Sequence, residues 1–108
     1  MSETLNALYD TIVSRKENPQ EGSYTNYLLE KGIDKILRKC GEESAEVIIA
    51  AKSGDTNEVI YEISDLLYHM MVLMVKMEIP VEALFQELDK RSQKTGNLKQ
   101  FHVTDKNS

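Results

Sequence analysis

Several things are scarce in this 108-residue sequence, and each scarcity narrows what the chain can be. Its one cysteine, Cys40, has no partner for an internal disulfide, so packing must hold the fold. Prolines number two and glycines five, and no segment alternates apolar and polar residues as a half-buried strand does. Internal repeats and low-complexity tracts are absent. The most apolar run, Met70 to Val75, is too short to span a bilayer, and Glu62, Asp65, His69 and Lys76 punctuate the helix that carries it. Cations are the minority charge, 13 Lys and Arg against 18 Asp and Glu, for a formal net charge of -5. That balance argues against a nucleic-acid binder working by phosphate neutralisation, and any anionic ligand must be met by local cations. The polar start Met1-Ser2-Glu3-Thr4 lacks the basic and apolar regions of a secretion signal, which makes the cytoplasm the expected location.

What is present is helical. Leu5, Leu8, Tyr9, Ile12 and Val13 form one apolar stripe on a first helix starting near Ser2 and broken at Asn18-Pro19. Ser23 is placed to cap a short helix that Gly32 ends. From Ile33 the positions Ile36, Leu37, Cys40, Val47, Ile48 and Ala51 keep a helical period until Ser53-Gly54. Asp55 and Glu58 suit a capping box for a helix running to about Met77, and Pro80 opens a last one carrying Val81, Leu84, Phe85 and Leu88 to about Arg91. The expected fold is all-α, a bundle of four to five helices in one domain over residues 1–95, followed by a polar tail over 96–108 with Phe101 and Val103 as possible anchors.

The chemistry concentrates in two helices. On the third, Lys35, Lys39, Glu42, Glu43 and Glu46 occupy one arc, with Glu43 nearest the apolar edge. On the fourth, apolar residues point nearly all round, yet Glu58, Glu62, Asp65 and His69 share one narrow strip. Carboxylates beside such a core need partners. A turn at Ser53-Gly54-Asp55 folds the helices back on each other, so Glu43-x-x-Glu46 and Glu62-x-x-Asp65 converge. Four carboxylates favour Mg²⁺ or Mn²⁺ over zinc, and the Glu-x-x-His motif of di-iron bundles is missing. The plainer alternative is a solvated acidic face in which Lys39 and Glu43 pair weakly.

Glu42-Glu43-x-x-Glu46 followed by Glu62-x-x-Asp65 resembles the metal-binding signature of the all-α nucleoside triphosphate pyrophosphatase superfamily, which includes MazG-like enzymes and dimeric dUTPases. Ser23-Tyr24-Thr25, Lys35-x-x-x-Lys39-x-Gly41-Glu42-Glu43 and Glu62-x-x-Asp65-Leu66-Leu67-Tyr68-His69 narrow the resemblance to its phosphoribosyl-ATP pyrophosphohydrolase family, over the run from Leu5 to about Arg91. The resemblance implies hydrolysis of phosphoribosyl-ATP to phosphoribosyl-AMP and pyrophosphate in histidine biosynthesis, with Mg²⁺ as cofactor. It implies Glu43, Glu46, Glu62 and Asp65 as metal ligands and Glu42, Glu43 and Glu46 as the catalytic acids, Glu42 orienting water or adding a ligand. Ser23, Tyr24, Thr25, Lys35, Lys39, Arg91 and Lys94 are the candidate substrate contacts. His69 and Cys40 are left outside the chemistry, because no nucleophile is required.

The apolar surface of the fourth helix exceeds what three short neighbours cover, which points, as the superfamily does, to a homodimer. Two other functions compete: a housecleaning nucleoside triphosphate pyrophosphatase, and a non-enzymatic helical dimer whose acids serve solubility or a structural cation.

Overall fold

A computed structural model describes residues 2–94. The tail over 96–108, with Phe101 and Val103, lies outside the described residues. Five helices follow in order: α1 (Ser2–Glu17), α2 (Tyr24–Lys31), α3 (Ile33–Ser53), α4 (Thr56–Lys76) and α5 (Val81–Ser92), with no strand among the described residues. The all-α expectation holds, with five helices.

Local chemistry sets the boundaries. Ser23 caps α2, its hydroxyl accepting from the Asn26 amide at 3.2 Å. Gly32 joins α2 to α3 at φ 98°, a conformation that costs glycine little. Gly54 ends α3 in the left-handed region, and Asp55 caps α4 by accepting from the Glu58 amide at 3.2 Å. No reciprocal bond from the Glu58 carboxyl back to Asp55 is formed among the described residues; that side chain lies close enough to Glu62 to help raise its pKa. The capping box is therefore half made, and the acid it frees joins the acidic strip.

The α3–α4 hairpin is the main packing of the molecule, and α1 and α2 lie against it near the end away from Gly54. There the core forms from Ile12 of α1, Leu28 of α2, Ile36 and Cys40 of α3, Met71, Val72 and Val75 of α4, and Val81 of α5. Burial of each large aliphatic side chain stabilises by about 1.5–3 kcal/mol. Tyr9 of α1 donates to the Ile79 carbonyl at 2.7 Å, pinning the α4–α5 turn. Asn26 donates to the Arg15 carbonyl at 2.7 Å and accepts from the Gln20 amide at 2.9 Å, which fixes α2 against the end of α1. That anchorage aims Tyr24 and Tyr27 at the hairpin.

Periodicity put Leu37, Ile48 and Ala51 on one apolar side of α3, and the structure covers only part of that side. Leu37 and Ile48 are 49% and 64% exposed, because α1 and α2 reach only one end of the hairpin. No helix of the described residues is long and apolar enough to cross a membrane.

Candidate metal and substrate site

Hairpin geometry brings the acids together. Glu43 and Asp65 each lie eleven residues from Gly54, and Glu46 and Glu62 each lie eight, so the two pairs face each other across the antiparallel helices. Glu43 and Glu62 are the buried members, 6% and 8% exposed, while Glu42 and Glu46 open to solvent. Among the described residues one group places three possible ligand atoms within 4.8 Å of one another: Glu43, Asp65 and His69.

The electrostatics of that group follow from crowding. Burial raises the Glu43 carboxyl above its ordinary pKa, and a hydrogen bond with Asp65 and the Asp65 charge add to the effect, while Lys39 opposes it. Glu62 is pushed up to about 7 by burial, its hydrogen bond with Glu58, and the nearby Glu46 and Glu43 carboxylates. Glu43 and Glu62 sit where a carboxylate charge is disfavoured and positive charge is short. A divalent cation supplies that charge, and the oxygen-rich donor set suits a hard ion.

His69, set aside on sequence grounds, sits at the centre, 2% exposed. Its Nδ1 lies 2.8 Å from the Asp65 carbonyl, which can only accept, so Nδ1 carries a proton. In the neutral ring Nε2 then accepts from the Tyr24 hydroxyl at 3.0 Å. With both nitrogens engaged, the ring acts less as a ligand than as a brace between the Asp65 turn of α4 and Tyr24 of α2. Its spacing from Asp65, i and i+4, was visible in the sequence. Its bond to Tyr24, 45 residues away, was not.

The remaining candidates divide. Lys39 lies 3.2 Å from Glu42 and 3.8 Å from Glu43, bridging the exposed and the buried acid, and its pKa is raised chiefly by the Glu42 hydrogen bond. Tyr24 sits close enough to Lys39 for that charge to oppose the rise that burial gives its phenol. Thr25 is hydrogen-bonded to Tyr68, and Ser23 is occupied as the cap of α2. Lys35 lies over the ring of Tyr27 at 6.0 Å from its centroid. Arg91 pairs with Glu87 at 3.0 Å on exposed α5, and neither Arg91 nor Lys94 bonds to the acidic group among the described residues.

A family profile described as phosphoribosyl-ATP pyrophosphohydrolase matches residues 5–92. The chain belongs to this family. Curated relatives agree: it is 54% identical over 97 residues to a phosphoribosyl-ATP pyrophosphatase of Clostridium novyi (strain NT), covering 90% of this chain and 88% of that protein. A phosphoribosyl-ATP pyrophosphatase of Listeria monocytogenes serotype 4a (strain HCC23) is 57% identical over 90 residues, 83% of this chain and 86% of its own. The histidine biosynthesis bifunctional protein HisIE of Caldanaerobacter subterraneus subsp. tengcongensis is 56% identical over 92 residues, 85% of this chain. The chain spans 45% of the length of that bifunctional relative. The family match covers α1 through the end of α5, and so takes in the acidic group and Tyr24 together.

Proposed function

We propose that this chain hydrolyses phosphoribosyl-ATP to phosphoribosyl-AMP and pyrophosphate, as a cytoplasmic Mg²⁺-dependent homodimer acting in histidine biosynthesis, with residues 1–95 as the working domain. The observation that carries the reading is the buried Glu43 carboxyl set against that of Asp65, with Lys39 beside it, in a chain of this family.

The chemistry follows from charge. Cleaving the anhydride between the α and β phosphates requires positive charge on the phosphate oxygens and an oriented water. Glu43 and Asp65, with Glu46 and Glu62 alongside, would hold Mg²⁺ or Mn²⁺, which supplies that charge when bound. Lys39 adds a second positive charge at the same edge and faces the triphosphate. Glu42, exposed next to Lys39, accepts the proton of the attacking water, and the α–β bond breaks to release pyrophosphate. His69 and Tyr24 position Asp65, while Lys35 and the α2 residues Tyr24 and Thr25 meet the rest of the substrate.

Dimerisation is supported by the free end of the hairpin. Ile48, Ile49, Ile60 and Tyr61 are each at least 60% exposed there, apolar area that a second copy would cover. The radius of gyration, 16.2 Å, exceeds the roughly 13 Å of a compact domain of this size, as a half-bundle would.

The test is pyrophosphate release from phosphoribosyl-ATP, ATP and dUTP, each with Mg²⁺, with Mn²⁺ and with EDTA. Metal-dependent turnover of phosphoribosyl-ATP alone, lost in Asp65→Ala, is expected. Turnover of ATP and dUTP in its place would move the chain to a housecleaning role, and no turnover of any would leave a non-enzymatic helical dimer. Light scattering at micromolar concentration is expected to give twice the chain mass, and a monomer would refute the dimer.

A further inference from the structure

Where α2 meets α3, cations gather around one aromatic ring. Lys31 Nζ and Lys35 Nζ lie 5.8 and 6.0 Å from the centroid of Tyr27, and Arg38 and Asp34 complete a hollow of about 320 Å³. Among the described residues no carboxylate pairs with Lys31, Lys35 or Arg38 within 4.0 Å, even though the chain carries five more acids than bases. Side chains link the hollow to the acidic site. Tyr27 stacks on Tyr24 at 6.0 Å, Tyr24 bonds to His69, and Lys35, Lys39 and Glu43 follow one another at i, i+4 and i+8 along α3. From Lys35 to Glu43 the helix rises about 12 Å.

A strip with acids for a metal at one end and unpaired cations around a ring at the other is matched to a ligand with anionic groups at both ends and a flat middle. Phosphoribosyl-ATP has that form: a triphosphate on one ribose, adenine, and a second ribose ending in a phosphate monoester. ATP lacks the second ribose and its monoester, and of the two only the monoester carries charge. A solvent-open pyrophosphatase that ignored the phosphoribosyl group would treat ATP as an equal substrate, so selectivity must be built at that end, where the monoester is the charged handle. We infer that Tyr27, Lys31, Lys35 and Arg38 form the subsite for the phosphate monoester of the phosphoribosyl group, and that this subsite sets the preference for phosphoribosyl-ATP over ATP. The inference rests on the proposed activity and adds Tyr27, Lys31 and Arg38 to the substrate contacts.

The product phosphoribosyl-AMP keeps the monoester and needs no metal-bound triphosphate, so it probes the subsite without turnover. Calorimetry in EDTA should find it bound about tenfold or more tightly than AMP. The double variant Lys31→Ala/Arg38→Ala should bring that ratio close to one and raise KM for phosphoribosyl-ATP about tenfold or more, with most of the kcat/KM loss in KM. Lys52→Ala, which removes a cation from the exposed far end of α3, should keep both values. Wild-type turnover of phosphoribosyl-ATP together with an unchanged binding ratio and KM in the double variant would overturn the subsite and leave the activity standing. Failure of the wild type to turn over phosphoribosyl-ATP would overturn both.

Discussion

At one end of the α3–α4 hairpin Ile36, Met71, Val72 and Val75 are at most 3% exposed beneath the neighbouring helices, while at the other Ile48, Ile49, Ile60 and Tyr61 are 60–65% exposed. Large apolar side chains stand at both ends; what differs is cover. The acids stand on the border between the two, where α2 stops and a second copy is proposed to begin. Such a border is dry enough to raise carboxyl pKa values and open enough to admit a nucleotide. A core position would have forbidden the charges, and a solvated one would have left them without a reason to bind a cation.

The largest effect is expected of Glu43→Gln. The amide keeps the shape of the buried side chain and removes its charge, so packing should survive while turnover of phosphoribosyl-ATP falls about a hundredfold or more. Because burial makes the Glu43 charge costly, the metal-free variant at pH 8 should melt at or above the wild-type temperature. Lower stability in EDTA with full activity would show Glu43 to be ordinary packing. Next in size is the contrast between the two ends themselves. Ile36→Ala should cost about 2–5 kcal/mol at any protein concentration. Ile49→Ala should cost less, and its loss should shrink as protein concentration falls, since it removes contact between copies. Equal, concentration-independent losses would mean that no second copy covers the free end.

A smaller effect is read by pH. Glu43 and Glu62 have folded pKa values above their unfolded ones, Glu62 at about 7. The folded state therefore holds protons that the unfolded state releases, and the stability these groups contribute is full below about 4.5 and declines as pH rises to about 7. Thermal midpoints in EDTA should fall over that window relative to a Glu62→Gln variant. Addition of Mg²⁺ should restore them, by an increment that grows with pH and levels off above 7. An increment constant from pH 5 to 8 would show that the ion binds elsewhere.

How much of this was legible in the sequence depends on whether the cause was local. Ser23, Gly32, Gly54, Asp55 and Pro80 announce their turns because capping and left-handed backbone act within a few residues. The meeting of Glu43 with Asp65 was legible too, since equal spacing about Gly54 is enough once the hairpin is accepted. Contacts made by α2 were not. Tyr24 reaches His69, and Tyr27 reaches Lys35, only because Asn26 ties α2 to the end of α1, and no periodicity in α3 or α4 records that angle. Exposure of Ile48 was hidden for the same reason: a stripe says which side of a helix is apolar, not how far along it the neighbours extend.

The smallest expected effect tests whether position, and not the carboxyl itself, makes Glu43 special. Glu87 of α5 is the same side chain one turn from Arg91, in the open, and its pKa is lowered, chiefly by the Arg91 hydrogen bond. Its sign is opposite to that of Glu43: the stability it contributes is present above the unfolded pKa and lost as pH falls through the folded one. Solvent screens such exposed pairs, so Glu87→Gln should move the thermal midpoint at pH 7 by about 2 °C or less. The change should shrink as pH falls through the folded pKa of Glu87, and neither metal nor substrate should alter it. A larger or metal-dependent change would place α5 in the site and bring Arg91 back as a substrate contact.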